Sequence, residues 1–149
     1  DVNVSKFKDR IAGCGGFVNI TQNTHKVVFC GTFTAKGLRE EIRDGKLVIT
    51  HEGAVQKFID KVGQITFSAE YAHKHNQQVM FITERCVFVL TDKGLVLTEI
   101  APGVDLQKDI LDQMEFVPHI AENLKTMDER LFRDEPMGLA QDIFEQQAG

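Results

Sequence analysis

The sequence predicts an α/β domain, a mixed sheet with flanking helices, and three observations carry that expectation. Two apolar runs, Lys26-Val27-Val28-Phe29-Cys30-Gly31-Thr32-Phe33 and Gln78-Val79-Met80-Phe81-Ile82-Thr83, lack the polar alternation of a half-exposed strand and read as strands covered on both faces. Two turns, Asp44-Gly45 and Asp92-Lys93-Gly94, separate strand-like segments and imply hairpins, which a strictly parallel sheet would lack. Helical spacing interrupts these strands, most clearly at Leu106, Ile110, Leu111 and Met114. With 149 residues, 42% apolar and 26% charged, a single domain over 1–149 is expected. A chain of that size buries roughly two-thirds of its unfolded surface and needs no disulfide or metal to hold together.

The elements follow in order. Ile11-Ala12-Gly13-Cys14-Gly15-Gly16 reads as a glycine-rich turn, and 17–23 as a short helix with Phe17 and Ile20 on one side. The first apolar run, 26–33, is expected at the centre of the sheet. Residues 38–50 form a hairpin around Asp44-Gly45, a dipeptide that accepts the positive φ of a tight turn, and 55–59 add a strand suited to an edge. A helix over 67–75 leads to the second apolar run, and 86–91 pairs with 95–100 as a second hairpin. Asp105 is placed to cap a helix over 105–114, with Pro102 before it. After Pro118 the patterning weakens, and 118–149 reads as a tail whose apolar residues, Leu131, Phe132 and Ile143 among them, dock on something else, such as another part of a larger protein.

Charge narrows the function classes. The net charge is −5, but residues 1–100 carry 13 Lys+Arg against 11 Asp+Glu, whereas 101–149 carry 4 against 11. An acidic stretch of this kind ordinarily faces water. No clustered basic stripe with interleaved aromatics is present, so nucleic acid is not expected as a partner. Nor is a membrane. Three cysteines, Cys14, Cys30 and Cys86, at wide spacing and without a C-x-x-C pair fit a reducing compartment, hence a cytoplasmic location. The opening Asp1-Val2-Asn3-Val4-Ser5-Lys6 has no initiator Met and no signal sequence, so the chain reads as a piece of a longer product.

The Gly13-Cys14-Gly15-Gly16-Phe17 turn is the strongest chemical feature. Glycines let the backbone bend sharply and approach a ligand, and amides opening a helix are outward donors, suited to a phosphate or a developing oxyanion. Val18 stands where the third glycine of a dinucleotide fingerprint belongs, and no Gly-Lys-Ser/Thr follows, so neither of those phosphate motifs applies. An ordinary tight turn remains the plainer account. Cys14, near a helix start, is a candidate nucleophile, but no His and carboxylate can be assigned to it. His73 and His75, two residues apart on a helix, point in different directions and make a poor metal pair. Glu84 and Glu99, at strand ends, read as structural.

These residues also carry a resemblance. The run 13–20 followed by 26–35, and later Ile82-Thr83-Glu84-Arg85-Cys86-Val87-Phe88, Gly94 to Gly103 and Phe132-Arg133-Asp134-Glu135-Pro136-Met137-Gly138-Leu139, resemble the β-type half of family I coenzyme A transferases. They are similar in particular to single-chain acetate, propionate or acetoacetate members, in order and over nearly the whole chain. The resemblance implies part of a CoA-transferase half-domain and a ping-pong exchange, in which a glutamate attacks an acyl-CoA thioester, passes through an anhydride and becomes a glutamyl-CoA thioester that an incoming acid resolves. It implies a backbone oxyanion donor at Gly15, with Gly13, Gly16 and Phe17 shaping the site and Lys36 facing the anionic CoA, although a solvated lysine is as good an account of Lys36. Coenzyme A is implied as substrate, with no permanently bound cofactor and no metal. The implied partners are an acyl-CoA, a short-chain carboxylate, the remainder of the transferase chain and further copies in a homo-oligomer.

One departure is large. In relatives the nucleophilic glutamate lies before the Gly loop in a Glu-x-Gly motif, and no such motif stands in residues 1–12. Neither Glu84 nor Glu99 fills that role, since both follow the loop. The chain alone is therefore expected to be the inactive C-terminal part of the enzyme. A non-catalytic module of the same fold, binding an acyl-CoA or a partner chain, is the alternative, and an enzyme centred on Cys14 is a third.

Overall fold

A computed structural model describes residues 5–7 and 9–148; the opening Asp1–Val4 lies outside them. Strands β1 (Lys6–Phe7) and β2 (Arg10–Ile11) form a small antiparallel ribbon before helix α1 (Phe17–Gln22). Next come β3 (Lys26–Cys30), β4 (Thr34–Ala35), the hairpin β5 (Arg39–Arg43) and β6 (Lys46–His51), and β7 (Val55–Gln56). Helix α2 (Ala69–Lys74) leads to β8 (Gln78–Ile82), β9 (Cys86–Thr91) and β10 (Gly94–Ile100). A π-helical turn, Leu106–Ile110, and a 3-10 turn, Leu111–Gln113, precede β11 (His119–Thr126). The 3-10 turn Glu129–Phe132 and helix α3 (Leu139–Ala148) close the chain.

The main sheet is mixed, as expected, with order β11-β10-β9-β8-β3. The pairs β10/β11 and β3/β8 are parallel, while β8/β9 and β9/β10 are antiparallel. Both hairpins form where the turn residues place them. Asp44 (φ +51°) and Gly45 (φ +73°) supply the two left-handed positions of the first, and Gly94 (φ +103°) the single positive-φ position of the second. Ser68 caps α2 by accepting from the Tyr71 amide at 3.2 Å.

Four expectations are corrected. The run 26–33 is not central: it pairs only over Lys26–Cys30 and is the terminal strand of the sheet among the described residues, with Val27 buried and Val28 exposed. The middle position belongs to β9, whose Cys86, Val87 and Phe88 are all buried. The strand expected over 55–59 shrinks to Val55–Gln56, paired with Thr34–Ala35 in a separate ribbon. The helix over 105–114 is not a regular α-helix. Asp105 does cap it, accepting from the Lys108 amide at 2.8 Å, but the Asp109 carbonyl accepts from the Arg85 guanidinium at 2.8 Å, in competition with the intrahelical bond it would otherwise receive. Finally, the tail expected from 118 begins as β11, a full strand of the main sheet.

Two apolar clusters flank the sheet. One gathers Phe33, Cys86, Phe88, Leu97, Ile110 and Met114; the other gathers Leu47, Val87, Ala101, Met127 and Phe132. Phe132 thus anchors the region after β11, and Arg130 ties it to α3 by pairing with both Asp128 and Asp142 at 2.7 Å. Arg130 holds the Asp128 carboxyl down to about 2. Gly53 is where the hairpin region meets the β4/β7 ribbon. A Cβ there would fall 2.6 Å from the Ala35 carbonyl oxygen and 2.8 Å from its amide nitrogen, backbone atoms that cannot swing aside. Gly53→Ala is therefore expected to lower stability by about 1–3 kcal/mol, the range of an overpacked interior, read as a shift in urea midpoint at constant m-value.

Candidate active site

The Gly loop is built from residues with little side chain to bury. Gly13, Gly15 and Gly16 are exposed and Cys14 is half-buried. Gly15 takes φ +53°, a left-handed conformation that L side chains rarely adopt. The Phe17 amide donates to the Cys14 carbonyl at 3.1 Å and closes the turn, and the Ile20 amide donates to the Gly16 carbonyl at 3.0 Å to start α1. Among the described residues, no acceptor is bonded to the Gly15 or Gly16 amide.

Phe17 links this loop to a row of aromatic rings. Its ring centroid lies 6.1 Å from Phe29, which stacks on Phe81 at 5.2 Å and meets Phe67 edge-on at 5.1 Å. Phe29, Phe67 and Phe81, with Phe58 and Phe116, line a cavity of about 250 Å³. It opens beside Cys30 and Ile82, at the carboxyl ends of the parallel strands β3 and β8. That is the end of an α/β sheet where ligands characteristically bind. Thr32 and Lys57 are among its polar lining groups, the Lys57 ammonium donating to the Thr32 hydroxyl at 3.1 Å.

Of the residues singled out from sequence, Phe17 neighbours the lining residue Phe29, while Gly13, Gly15, Gly16 and Lys36 do not line the cavity. Lys36 sits in an exposed turn at φ +61°, its carbonyl accepting from the Ala54 amide at 3.0 Å. The cation that reaches the cavity is Lys57, which no sequence pattern distinguished from other solvent-facing lysines. Cys30, not Cys14, is the cysteine in the lining. Burial pushes the third, Cys86, up to about 12, so it is a thiol at neutral pH. No group of three or more His, Cys, Asp or Glu among the described residues could hold a metal ion. His73 and His75 are exposed, and the His75 ring stacks on Tyr71 at 3.9 Å.

A charge cluster around a buried arginine sits against Phe33, whose ring centroid lies 4.8 Å from that of the lining residue Phe58. The Arg85 side chain is wholly buried, with its Nη1 2.7 Å from Glu52 Oε2, its Nη2 2.8 Å from Glu52 Oε1 and its Nε 3.1 Å from Glu84 Oε1. The remaining Glu84 oxygen accepts from the Phe33 amide at 2.8 Å, and the guanidinium lies 5.1 Å from the Phe33 ring centroid. Glu84 is thus structural, as expected: it fixes the segment after β3 that carries Thr32 and Phe33. Glu52 also accepts from the Thr34 hydroxyl at 2.5 Å and the Gly53 amide at 2.9 Å. The signal for this cluster was the Glu84-Arg85 pair between two apolar strands, since an arginine there needs partners.

Burial raises the Glu52 pKa, but the hydrogen bonds from Arg85, Thr34 and Gly53 together outweigh it and hold the carboxyl below its ordinary 4.5. A carboxylate with a depressed folded-state pKa stabilises the fold above about pH 4.5, and that contribution is lost as pH falls through the folded value. Glu40 acts in the opposite sense. Burial, and then the Glu84 charge, push it up, so its protonation relieves part of the loss. The expected result is a urea midpoint that declines below about pH 4.5, with a shallower decline in Glu52→Gln.

Comparison with known proteins bears on this arrangement. No protein-family model matches the chain. It is 55% identical over 138 residues to the acetate CoA-transferase YdiF of Escherichia coli K12, a match covering 93% of this chain and 26% of that protein. It is 52% identical over 144 residues to the caffeate CoA-transferase of Acetobacterium woodii, covering 93% of this chain and 27% of that protein. The chain is homologous to a segment of the coenzyme A transferases. The chain spans about a quarter of the length of the relatives it matches. It superposes on the acyl-CoA transferase YdiF of Escherichia coli O157:H7 in its thioester complex with CoA, with a TM-score of 0.89 at 55% identity, over 91% of this chain and 27% of that one. The apoenzyme gives the same TM-score. The mixed α/β fold of the segment is that of the matching part of the enzyme.

Proposed function

We propose that this chain is the C-terminal part of the β-type half of a family I CoA-transferase, which moves CoA between an acyl-CoA and a carboxylic acid through a glutamyl-CoA intermediate. The observation that carries this reading is 55% identity to a CoA-transferase over 93% of the chain. In the proposal the Gly15 amide donates to the oxyanion formed as a glutamate outside these 149 residues attacks the thioester. The exposed loop, and the lack of any bonded acceptor for the Gly15 and Gly16 amides among the described residues, support that role. An amide already held in place costs no reorganisation when charge develops, which is why such donors accelerate acyl transfer. Gly13 and Gly16 keep the approach open, Phe17 covers the thioester end, and Lys36 serves as an outer cation toward the anionic CoA. A short-chain carboxylate and further copies of the enzyme belong to the same reading.

Incubating the full polypeptide that carries this segment with an acyl-CoA, then measuring intact mass, tests the proposal. The expected product is a CoA adduct on a glutamate outside residues 1–149. Modification at Cys14 instead, or CoA binding with no adduct, would overturn it. The 149-residue chain alone is expected to form no adduct.

A further inference from the structure

The helix that follows the glycine loop is gripped at its other end by a side chain from far along the sequence. The Gln77 side-chain amide donates to two backbone carbonyls, that of Thr21 at 2.5 Å and that of Thr24 at 2.7 Å. Thr21 lies in the last turn of α1, where carbonyls find no donor within the helix, so Gln77 satisfies an end that the helix itself leaves open. Gln77 is fixed in turn at its backbone. Its amide donates to the carbonyl of wholly buried Ala72 in α2 at 2.9 Å, and the Gln78 amide donates to the His25 carbonyl at 2.9 Å. The Gln77 Oε1 is buried and accepts from no protein group among the described residues. Buried oxygens are ordinarily paired, so the donors decide how this side chain is turned; the opposite orientation would set its oxygen against two carbonyl oxygens.

From Thr21 a run of hydrogen bonds continues into the loop. The Thr21 hydroxyl donates to the Phe17 carbonyl at 2.8 Å, the Phe17 amide donates to the Cys14 carbonyl at 3.1 Å, and Gly15 stands within the turn that this last bond closes. A helix of six residues is only about 9 Å long, so a tilt at its last carbonyl is carried through to the loop at its start. We propose that Gln77 is a positioning residue, which fixes the aim of the Gly15 amide by holding the closing end of α1. The proposal rests on the CoA-transferase reading for the reaction, while the grip on α1 stands apart from it. A displacement of about 1 Å caused far from the reacting atoms costs up to about 10²-fold in rate, so loss of this grip is expected to cost about tenfold or more.

The test uses the full polypeptide with two variants. Gln77→Met keeps the length of the side chain and removes both donors; Gln77→Glu keeps its shape and, at about pH 8, presents only acceptors. Hydrogen exchange over 13–22 reads the grip, and kcat and KM with propanoyl-CoA and acetate read its consequence. Exchange is expected to quicken and kcat to fall by about tenfold or more with KM for propanoyl-CoA unchanged, the mark of an interaction that matters in the transition state. Combined with Gly15→Val, Gln77→Met is expected to cost little more than Gly15→Val alone, because a residue acting through that amide then has nothing left to aim. Should Gln77→Met fail to unfold cooperatively, Gln77→Glu carries the same readings. If wild-type protein forms the glutamyl-CoA adduct, then wild-type kcat in both variants, a loss expressed in KM alone, or losses that multiply with that of Gly15→Val overturn the proposal, and the CoA-transferase reading stands. If no adduct forms, that reading falls and exchange alone decides the grip: faster exchange over 13–22 supports it, and unchanged exchange overturns it.

Discussion

Replacing Arg85 with methionine is expected to destabilise the chain by about 3–5 kcal/mol, the cost of removing one partner from a buried ion pair. The reason lies in what is left behind. Glu52 and Glu84 both direct oxygens at the guanidinium, and the Asp109 carbonyl accepts a further hydrogen bond from it. Methionine fills part of the volume but offers none of these donors, so two carboxylates remain close together in a poorly hydrated space. Set against the roughly 5–15 kcal/mol of a typical domain, such a loss brings the protein near the threshold of unfolding. Urea titration at pH 7 reads it directly, and adding Glu52→Gln to Arg85→Met should restore part of the loss, because it removes one of the stranded charges. A change below about 1 kcal/mol, the usual value of an exposed pair, would show that the cluster is solvated.

Gly15→Val, introduced into the full enzyme, is expected to lower turnover by about 10²-fold or more, the scale of losing an oxyanion donor. Valine is β-branched and resists the φ of +53° that Gly15 adopts, so the loop must change its backbone path and carry the amide with it. The strain at that φ costs about 1–2 kcal/mol of stability and no clash adds to it, because a Cβ at this position meets nothing within 4 Å. The combination separates catalysis from folding: a cooperative unfolding transition lowered by only a few degrees, with collapsed turnover, is the expected pair of readings. Turnover at the wild-type level would remove Gly15 from the reaction.

What could be read in the sequence depended on how local its cause was. Asp44-Gly45 and Asp92-Lys93-Gly94 set their own backbone angles, so both hairpins were legible from a few residues. The position of β3 was not. An apolar run reports that side chains avoid water, but which of two neighbouring strands lies in the middle is decided by pairing partners far along the chain. β11 was missed because His119–Thr126 is mostly exposed, with only Ala121 and Leu124 half-covered, and so carries no alternating signal. The site divides in the same way. The Gly loop declares itself through composition, whereas Phe29, Phe58, Phe67, Phe81 and Phe116 become a cavity only when the sheet brings them together. Lys36 and Lys57 look alike in the sequence; the turn at Lys36 and the hydrogen bond from Lys57 to Thr32 separate them.

The parallel pairing of β3 with β8 has a kinetic corollary. Strands β8, β9 and β10 are consecutive and linked by tight turns, so the loops that must close to join them are short. Lys26 meets Gln78 only after the whole intervening chain has been gathered in, and long closures of this kind slow assembly. The meander should therefore form first and the outer strand dock last, carrying the glycine turn with it. In native-state hydrogen exchange, amides of 26–30 should open at lower free energy than those of 86–91, so that this edge of the molecule can come loose while the rest stays folded.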